Sequence, residues 1–132
     1  MRQKNDMAKK KILIIDDEEN LCKFVKINLE LTGAFEVSMA TNGIEGINVA
    51  QKTKPDLILL DILMPVMDGI EVLKRLKKDK DTFRIPVLML SAIGYEPFKI
   101  RAAELYAEGY ITKPIETSEL KAKIEEVLKK EG

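Results

Sequence analysis

Three aspartates that directly follow short apolar runs are the residues best suited to chemistry. Asp16 and Asp17 come after the run ILII, and Asp61 comes after the run LILL. If these runs are neighbouring parallel strands, the three carboxylates meet at one edge of the sheet and repel one another. A divalent cation relieves such repulsion, and a ligand set made only of oxygen favours Mg²⁺. The alternative is that the pair caps the first helix, which explains one aspartate better than two.

A hydroxyl and an ammonium group occupy the equivalent place in two further segments. Ser91 follows the run VLML, and Lys113 follows the weaker run YIT. Taken singly, Ser91 is typical of a turn, Lys113 of a surface lysine, and Asp61 of a turn before Pro65. In an open parallel sheet, however, ligands bind at the carboxyl ends of the strands. The shared position of all these polar groups therefore predicts one functional site.

The composition excludes several classes of protein. The 132 residues are 45% hydrophobic and 33% charged, which is typical of one globular domain, and 22 basic residues balance 22 acidic ones. Without a net positive charge, no overall field attracts nucleic acid. The absence of histidine rules out histidine-based catalysis and histidine-ligated metals, and the single Cys22 rules out an internal disulfide. No apolar run is long enough to cross a membrane, so we expect a cytoplasmic protein.

Short apolar runs alternate with segments of helical periodicity along the whole chain. We predict strands at 12–15, 35–40, 57–60, 87–90 and 110–112, and helices at 18–31, 42–53, 70–78, 97–105 and 117–130. Strict alternation predicts an α/β fold with a doubly wound, five-stranded parallel sheet and five helices. The flavodoxin-like strand order 2-1-3-4-5 makes strands 1 and 3 neighbours. We expect residues 1–9 to be a flexible segment and residues 10–132 to form the domain.

The motifs resemble those of the receiver domain of two-component response regulators. The resemblance covers residues 10–130 and extends to the order and spacing of the motifs, which are DD at 16–17, D-x-L-M-P-x-M-D-G at 61–69, SA at 91–92 and KP at 113–114. A member of this family is a phosphoryl-accepting switch. The resemblance, most marked to stand-alone regulators of the chemotaxis type, therefore implies a fold, a cofactor and partners that can be compared with the structure.

The resemblance implies that Asp61 accepts a phosphoryl group from a phosphohistidine of a histidine kinase or histidine phosphotransfer protein. Mg²⁺ would be held by Asp16, Asp17, Asp61 and the backbone carbonyl of Leu63. Lys113 would pair first with Asp61 and afterwards with the phosphoryl oxygens. Catalysis would be confined to phosphorylation and dephosphorylation of the protein itself, so it would not be an enzyme in the usual sense.

Two further residues would report the phosphorylated state. The resemblance implies that Ser91 binds a phosphoryl oxygen and that the Tyr110 ring turns inward as the serine moves. The alternative for Tyr110 is packing in the core with its hydroxyl at the surface. The resemblance also implies that the Lys113–Pro114 peptide bond is cis.

The sequence departs from the family pattern around the site. Where similar domains have a glycine just before strand 5, this chain has Tyr106, which would be strained if the turn needs a positive φ; alternatively, helix 4 ends differently. Leu63 and Ile93 occupy positions that tune the lifetime of the phosphoryl group in similar domains. Because neither can orient a water molecule, we expect a long-lived phosphorylated state; the alternative is that both only pack locally.

The first helix is more apolar than one buried face requires. Val25 and Leu29 suffice for the core, so we expect Phe24 and Ile27 to be exposed beside the site, where kinase helices dock in similar domains. Alternatively, Phe24 packs under the neighbouring helix.

We therefore predict a stand-alone receiver that signals to a downstream effector protein, without direct nucleic-acid binding or membrane insertion. A phosphorylation-dependent dimer is another expected form of output. Two rival functions remain at this point. One is an Mg²⁺-dependent phosphatase or hydrolase with Asp61 as its nucleophile. The other is a pseudo-receiver that serves as a docking module without being phosphorylated.

Overall fold

Five parallel strands and five helices alternate along the chain. The structure, a computed structural model, describes residues 8–92 and 96–131. The strands are β1 Lys10–Ile15, β2 Phe35–Ala40, β3 Leu57–Asp61, β4 Val87–Ser91 and β5 Gly109–Thr112. The helices are α1 Glu19–Leu31, α2 Gly43–Thr53, α3 Gly69–Lys78, α4 Glu96–Glu104 and α5 Thr117–Glu131. The strand order is β2-β1-β3-β4-β5, so the predicted doubly wound, flavodoxin-like sheet is confirmed.

The sheet separates two apolar cores. On one face, Ile12 and Ile14 of β1 pack with residues of α1 and α5, including Val25 and Ile124. On the other face, Leu13 and Ile15 of the same strand pack with residues of α2, α3 and α4. Alternate side chains of one strand thus enter different cores, as the continuous apolar runs require of a sheet covered on both sides.

Side-chain caps fix the beginnings of the two helices on that second face. Asn42 accepts a hydrogen bond from the Glu45 N–H at 2.8 Å at the start of α2. Asp68 accepts one from the Glu71 N–H at 2.9 Å at the start of α3. Each cap satisfies an amide that has no partner within its helix. The cap at Asp68 also fixes the end of the loop that follows Asp61.

The sequence-based element boundaries agree with the structure to within two residues. Part of the predicted flexible segment, residues 1–7, lies outside the described residues, and so does Ile93, so the predictions made for them are unchanged. Within the ranges that the structure covers, no helix has both the length and the apolar composition that crossing a membrane requires.

Candidate functional site

Strand register brings the predicted site residues to one edge of the sheet. Ile15 of β1 is paired with Leu60 of β3, so Asp16 and Asp61 follow at the same level on neighbouring strands. The Asp16 N–H donates to Ala40 at 3.1 Å, which extends the pairing of β1 with β2 past the end of β1. Parallel pairing therefore positions these two carboxylates before any contact between their side chains is made.

The last two strands position the hydroxyl and the ammonium group in the same way. Ser91 of β4 is paired with Thr112 of β5, and the Lys113 N–H donates to the Ser91 carbonyl at 2.7 Å. The Lys113–Pro114 peptide bond is cis, as the resemblance implied. Lys113 thus begins directly beside Ser91, with its side chain reaching across the edge of the sheet toward the aspartates.

The three aspartates form one cluster. Oxygen atoms of Asp16, Asp17 and Asp61 all lie within 4.8 Å of one another. Asp16 is completely buried and Asp61 is 4% exposed, whereas Asp17 is exposed to solvent. One oxygen of Asp16 accepts a hydrogen bond from the Glu18 N–H at 2.9 Å, but Glu18 is itself the N-cap residue of α1, and no side-chain cap is made there. The helix-capping alternative therefore does not explain this cluster.

The ammonium group of Lys113 lies among three carboxylates. Its Nζ is 3.1 Å from Asp61 Oδ1, 3.0 Å from Asp16 Oδ2 and 3.0 Å from Glu18 Oε1. The contact with Glu18 has hydrogen-bond geometry, while the Oδ2 atom of Asp16 has no hydrogen-bond partner and is buried. The contact between Lys113 and Asp16 is therefore an ionic one without a directed hydrogen bond.

Burial and mutual repulsion make the acids harder to ionise. Burial, followed by the charge of Asp16, raises the pKa of Asp61 to about 7, although Lys113 partly opposes this. Burial likewise raises the pKa of Asp16 above its ordinary value. Burial alone would lower the pKa of Lys113, but the neighbouring carboxylates of Glu18, Asp16 and Asp61 outweigh it and raise that pKa. One cation thus faces more negative charge than it neutralises.

The residues at this edge fit a bound Mg²⁺. The buried Oδ2 of Asp16 lacks a hydrogen-bond partner, and it belongs to a group of carboxylates close enough to share one ion. Hard oxygen ligands of this kind suit Mg²⁺ better than softer metals. When bound, the ion would supply positive charge that offsets the repulsion between Asp16, Asp17 and Asp61.

An open cavity gives solvent access to this cluster. Its volume is about 330 Å³, and its lining consists of Asp17, Glu18, Asp61, Ile62, Leu63, Ser91, Ala92 and Lys113. Leu63 is 47% exposed, so an apolar side chain occupies the rim where a polar one could orient water. The predicted role of its backbone carbonyl as a metal ligand stays a prediction, as does the lifetime of the phosphoryl group.

A tight loop behind Asp61 holds the acid in place. The Gly69 N–H donates to the Ile62 carbonyl at 2.7 Å, and a Cβ atom at Gly69 would overlap the backbone carbonyl oxygen of Asp61. Only glycine allows this approach of the two backbones. In the same loop, the fully exposed Val66 has a φ of 69°, which is unfavourable for a β-branched residue.

The proposed switch residues lie on neighbouring strands, with Ser91 at the end of β4 and Tyr110 within β5. Ser91 is buried, and its hydroxyl donates to the Ala92 carbonyl at 2.9 Å. Tyr110 is 44% exposed, with Lys99 of α4 positioned 4.2 Å from the centre of its ring. Its ring is therefore at the surface in this conformation. Tyr106 has a φ of 70° after the end of α4, as expected for a position that favours glycine.

The apolar surface predicted on α1 is present. Phe24 is 47% exposed and Ile27 is 58% exposed, whereas Val25 and Leu29 are buried. Phe24 is therefore not covered by a neighbouring helix.

Sequence reasoning missed two contributors to the site. Glu18 contacts Lys113 although the two are 95 residues apart in the chain, and it is the third acid of the run Asp16-Asp17-Glu18. Its position beside the pair was the available signal. Gly69 was quoted as part of a motif, but its approach to the Asp61 backbone required the folded loop to be seen.

Comparison with known proteins decides the family. The model of the response regulator receiver domain matches residues 12–125, which is most of the chain. The chain belongs to the response regulator receiver family. This receiver has an acidic cluster compatible with Mg²⁺, as expected of a protein of two-component signalling.

The relatives include both transcriptional regulators and chemotaxis proteins. The receiver is 42% identical over 120 residues to the DNA-binding dual master transcriptional regulator RpaA of Synechocystis, covering 91% of this chain and 49% of that protein. It is 43% identical over 126 residues to the phosphate regulon transcriptional regulatory protein PhoB of Pseudomonas aeruginosa, covering 96% and 55%. The chain spans about half the length of these curated relatives.

A solved structure agrees with this assignment. Chemotaxis protein CheY4 of Vibrio cholerae superimposes with a TM-score of 0.85 at 31% identity, covering 91% of this chain and 99% of that one.

Proposed function

We propose that this receiver accepts a phosphoryl group on Asp61 from a phosphohistidine, with Mg²⁺, and signals through a change of conformation. The observation that carries the proposal is the position of the Asp61 carboxylate. It is held by strand and loop backbones, lies 3.1 Å from the Lys113 ammonium group, and lines an open cavity beside two other aspartates. A nucleophile, a cation and a metal-compatible cluster converge there.

The proposed reaction forms one bond and breaks another. A carboxylate oxygen of Asp61 attacks the phosphorus, the P–N bond of the phosphohistidine breaks, and the imidazole leaves with the electron pair and is then protonated. Phosphoryl transfer depends on positioning and on neutralisation of charge. Asp61 must be ionised to attack, and the pKa of about 7 in the metal-free site makes ionisation incomplete near neutral pH. Bound Mg²⁺ would lower that pKa.

Lys113 and Ser91 have complementary roles in the proposed product state. Lys113 is close enough to Asp61 to follow the new charge onto the phosphoryl oxygens. Ser91 lines the same cavity, and its hydroxyl would leave the Ala92 carbonyl to donate to a phosphoryl oxygen. We propose that this movement shifts the population of Tyr110 from its surface position toward an inward one.

The proposed chemistry is confined to the receiver's own carboxylate. Each phosphoryl group enters on Asp61 and leaves by hydrolysis, so the protein is a switch that other proteins read. The partners are a histidine-containing phosphoryl donor and a downstream effector protein.

Intact mass after incubation with acetyl phosphate tests this proposal. We expect one phosphoryl adduct on the wild-type protein in the presence of Mg²⁺, and none when EDTA replaces Mg²⁺. Asp61→Asn removes the nucleophile with little change of shape, so it should stay unmodified. Asp81→Asn is the matched control, because Asp81 is an exposed residue whose nearest ion pair, with Lys54, is a surface contact of 3.8 Å.

Each result has a defined meaning. An adduct that requires both Mg²⁺ and Asp61 supports the receiver chemistry. A folded wild-type protein without an adduct would contradict it and would favour the docking-module alternative. Steady release of phosphate from a simple ester such as p-nitrophenyl phosphate would instead favour the hydrolase.

The exposed apolar residues of α1 support a docking surface for the phosphoryl donor. Phe24 and Ile27 are both about half exposed on the helix that follows Asp16 and Asp17. Replacing both by serine should slow transfer from a phosphorylated histidine phosphotransfer protein but leave labelling by acetyl phosphate unchanged. Ile44→Ser on α2, at a residue of similar exposure, is the control. Equal loss with both donors would argue against docking.

A further inference from the structure

Glu18 contributes a carboxylate that the proposed chemistry does not use. It lines the cavity rim, and its side chain is 62% exposed, whereas the carboxylates of Asp16 and Asp61 are buried. Its backbone is fixed independently of that side chain, because the Glu18 N–H donates to Asp16 at 2.9 Å. The backbone of Glu18 is thus fixed by Asp16, while its carboxylate lies at the mouth of the site.

Lys113 makes a hydrogen bond with this rim carboxylate. Its Nζ is about equally far from Asp16, Glu18 and Asp61, but the contact with Glu18, at 3.0 Å, is the one that has hydrogen-bond geometry. An ammonium group has three donors, and here three carboxylates share them, so the donor that Glu18 holds is not available to a group attached to Asp61 until it turns away from the rim. In this conformation, Lys113 contacts both buried aspartates while one of its donors is bound at the rim.

We propose that Glu18 is a positioning residue that competes with the phosphoryl group for Lys113. The inference rests on the proposed phosphorylation of Asp61. While the site is unphosphorylated, Glu18 holds the ammonium group at the mouth of the cavity. When a phosphoryl group arrives on Asp61, the donor that Glu18 holds turns to its oxygens. Glu18 therefore stabilises the unphosphorylated state relative to the phosphorylated one, and its removal favours the latter.

The phosphoryl analogue beryllofluoride, bound in the presence of Mg²⁺, measures this competition without a chemical step. Exposed ion pairs contribute modestly, so we expect Glu18→Gln to tighten beryllofluoride binding by about two- to fivefold, measured by calorimetry. The matched control is Glu19→Gln, which removes the same charge one residue later. Glu19 instead faces Lys23 at 3.5 Å along α1, so its substitution should leave the affinity unchanged.

Glu18→Asp separates a directed contact from a diffuse charge effect. The shorter side chain keeps the negative charge but cannot reach Lys113 from the same backbone position. If Glu18 acts by holding the ammonium group, Glu18→Asp should tighten binding almost as much as Glu18→Gln. If it acts only by repelling an incoming anion, Glu18→Asp should bind as the wild type does, and the proposal is then wrong.

The ammonium resonance of Lys113 in ¹⁵N-labelled protein gives a second readout that a purely structural role would not change. In the free protein, Glu18→Gln should shift this resonance and Glu19→Gln should not. With beryllofluoride bound, wild type and Glu18→Gln should give the same resonance, because Lys113 has left the rim in both. An unshifted resonance in free Glu18→Gln would overturn the inference. Failure of the wild type to bind beryllofluoride would instead contradict the phosphorylation proposal itself.

Discussion

The two ends of the proposed signalling route differ in how firmly they are packed. All five residues of β3, which ends in Asp61, are buried, and α1 buries Cys22, Val25 and Leu29. In β5, Ile111 is buried but Tyr110 is 44% exposed. Among the described side chains of α4, Ala102 is the buried one. The strand that places the nucleophile is thus more completely buried than the described residues of β5 and α4 around Tyr110.

This difference in packing explains how one small domain can hold reacting groups in a fixed geometry and also change conformation. Phosphoryl transfer requires the nucleophile to stay in place, which dense packing around β1 and β3 provides. A change of conformation requires a region whose alternatives differ little in free energy, and sparsely packed elements provide that. We therefore expect substitutions to act mainly on stability near Asp61 and mainly on conformational populations near Tyr110.

The largest contrast should be between two glycine substitutions. In Gly69→Ala the new Cβ overlaps the Asp61 backbone carbonyl, which cannot move without displacing the nucleophile. We expect a loss of about 3 kcal/mol in the free energy of unfolding, measured with urea. In Gly109→Ala the nearest atom is Cε of the flexible Lys123, at 3.3 Å, so the loss should stay within about 0.5 kcal/mol. Equal losses would mean that the two regions are packed alike.

A smaller effect should appear in the dependence of stability on pH. Without Mg²⁺, the pKa of Asp61 is about 7 in the folded protein but about 4 in an unfolded chain, so the folded state binds more protons between these values. Stability should therefore fall as pH rises through this window. In Asp61→Asn this dependence weakens, and we expect the metal-free variant to be about 2 kcal/mol more stable than wild type at pH 8.

Thermal unfolding at a series of pH values, with and without Mg²⁺, measures this effect. The pKa of Asp16 is also raised, so the stability of Asp61→Asn should still depend on pH, but less steeply. Added Mg²⁺ should stabilise wild type more than Asp61→Asn, because the ion binds the ionised cluster. If the difference in stability between wild type and Asp61→Asn stayed constant from pH 4 to pH 7 without metal, burial would not raise the pKa of Asp61 in the folded protein.

Most of the fold and the acid cluster followed from the sequence because they depend on local patterns. Continuous apolar runs set the strands, and the residue after each run is at the carboxyl edge whatever the side chains do. Thus Asp16, Asp61 and Ser91 were placed correctly by position alone. The contact between Lys113 and Glu18 could not be predicted in this way, because it joins two side chains 95 residues apart at the rim. Such contacts depend on rotamers, which periodicity does not specify.

Backbone conformation was also only partly predictable. The turn at Tyr106 was recognised because the residue replaces a glycine of the family pattern, and its φ of 70° agrees. The equivalent strain at Val66 was missed, although valine is less suited than tyrosine to a positive φ. Nothing in the pattern of apolar residues indicates which residue of a loop must be left-handed.

A third comparison uses the unfavourable backbone conformations of Val66 and Tyr106. Val66→Gly removes an unfavourable conformation from a fully exposed side chain, so we expect the free energy of unfolding to rise by about 1 kcal/mol. Tyr106→Gly should raise it by only about 0.5 kcal/mol, because a positive φ is less unfavourable for tyrosine than for the β-branched valine, while the more flexible unfolded chain offsets part of the gain in both variants. Urea unfolding of both variants tests this, with Gly33→Ala as a reference.

Gly33 has a φ of 81° and no atoms within 4 Å of the Cβ that alanine would add. Gly33→Ala should therefore destabilise through the backbone alone, by about 1 kcal/mol, and it calibrates the strain at the other two positions. Destabilisation by Val66→Gly would show that contacts of the valine, and not its strain, dominate.

The smallest effect should be at the switch side chain itself. The Lys99 ammonium group lies 4.2 Å from the centre of the Tyr110 ring, and such a contact at a partly exposed site contributes about 0.5 to 1 kcal/mol. Lys99→Met keeps the aliphatic stem but removes the charge, so the inward position of Tyr110 should become about two- to fivefold more populated. Fluorine NMR of fluorotyrosine-labelled protein, with Tyr110 assigned through Tyr110→Phe, reports this population.

The control for this substitution is Lys121→Met on α5, which removes a lysine that faces Glu125 at 3.7 Å. It should leave the Tyr110 resonance unchanged. If Lys99→Met shifts that resonance toward its position in the beryllofluoride complex, with little change in unfolding free energy, then a contact of less than about 1 kcal/mol biases the switch. If it instead destabilises the fold as strongly as Gly69→Ala, α4 and β5 are not the loosely packed region that their burial indicates.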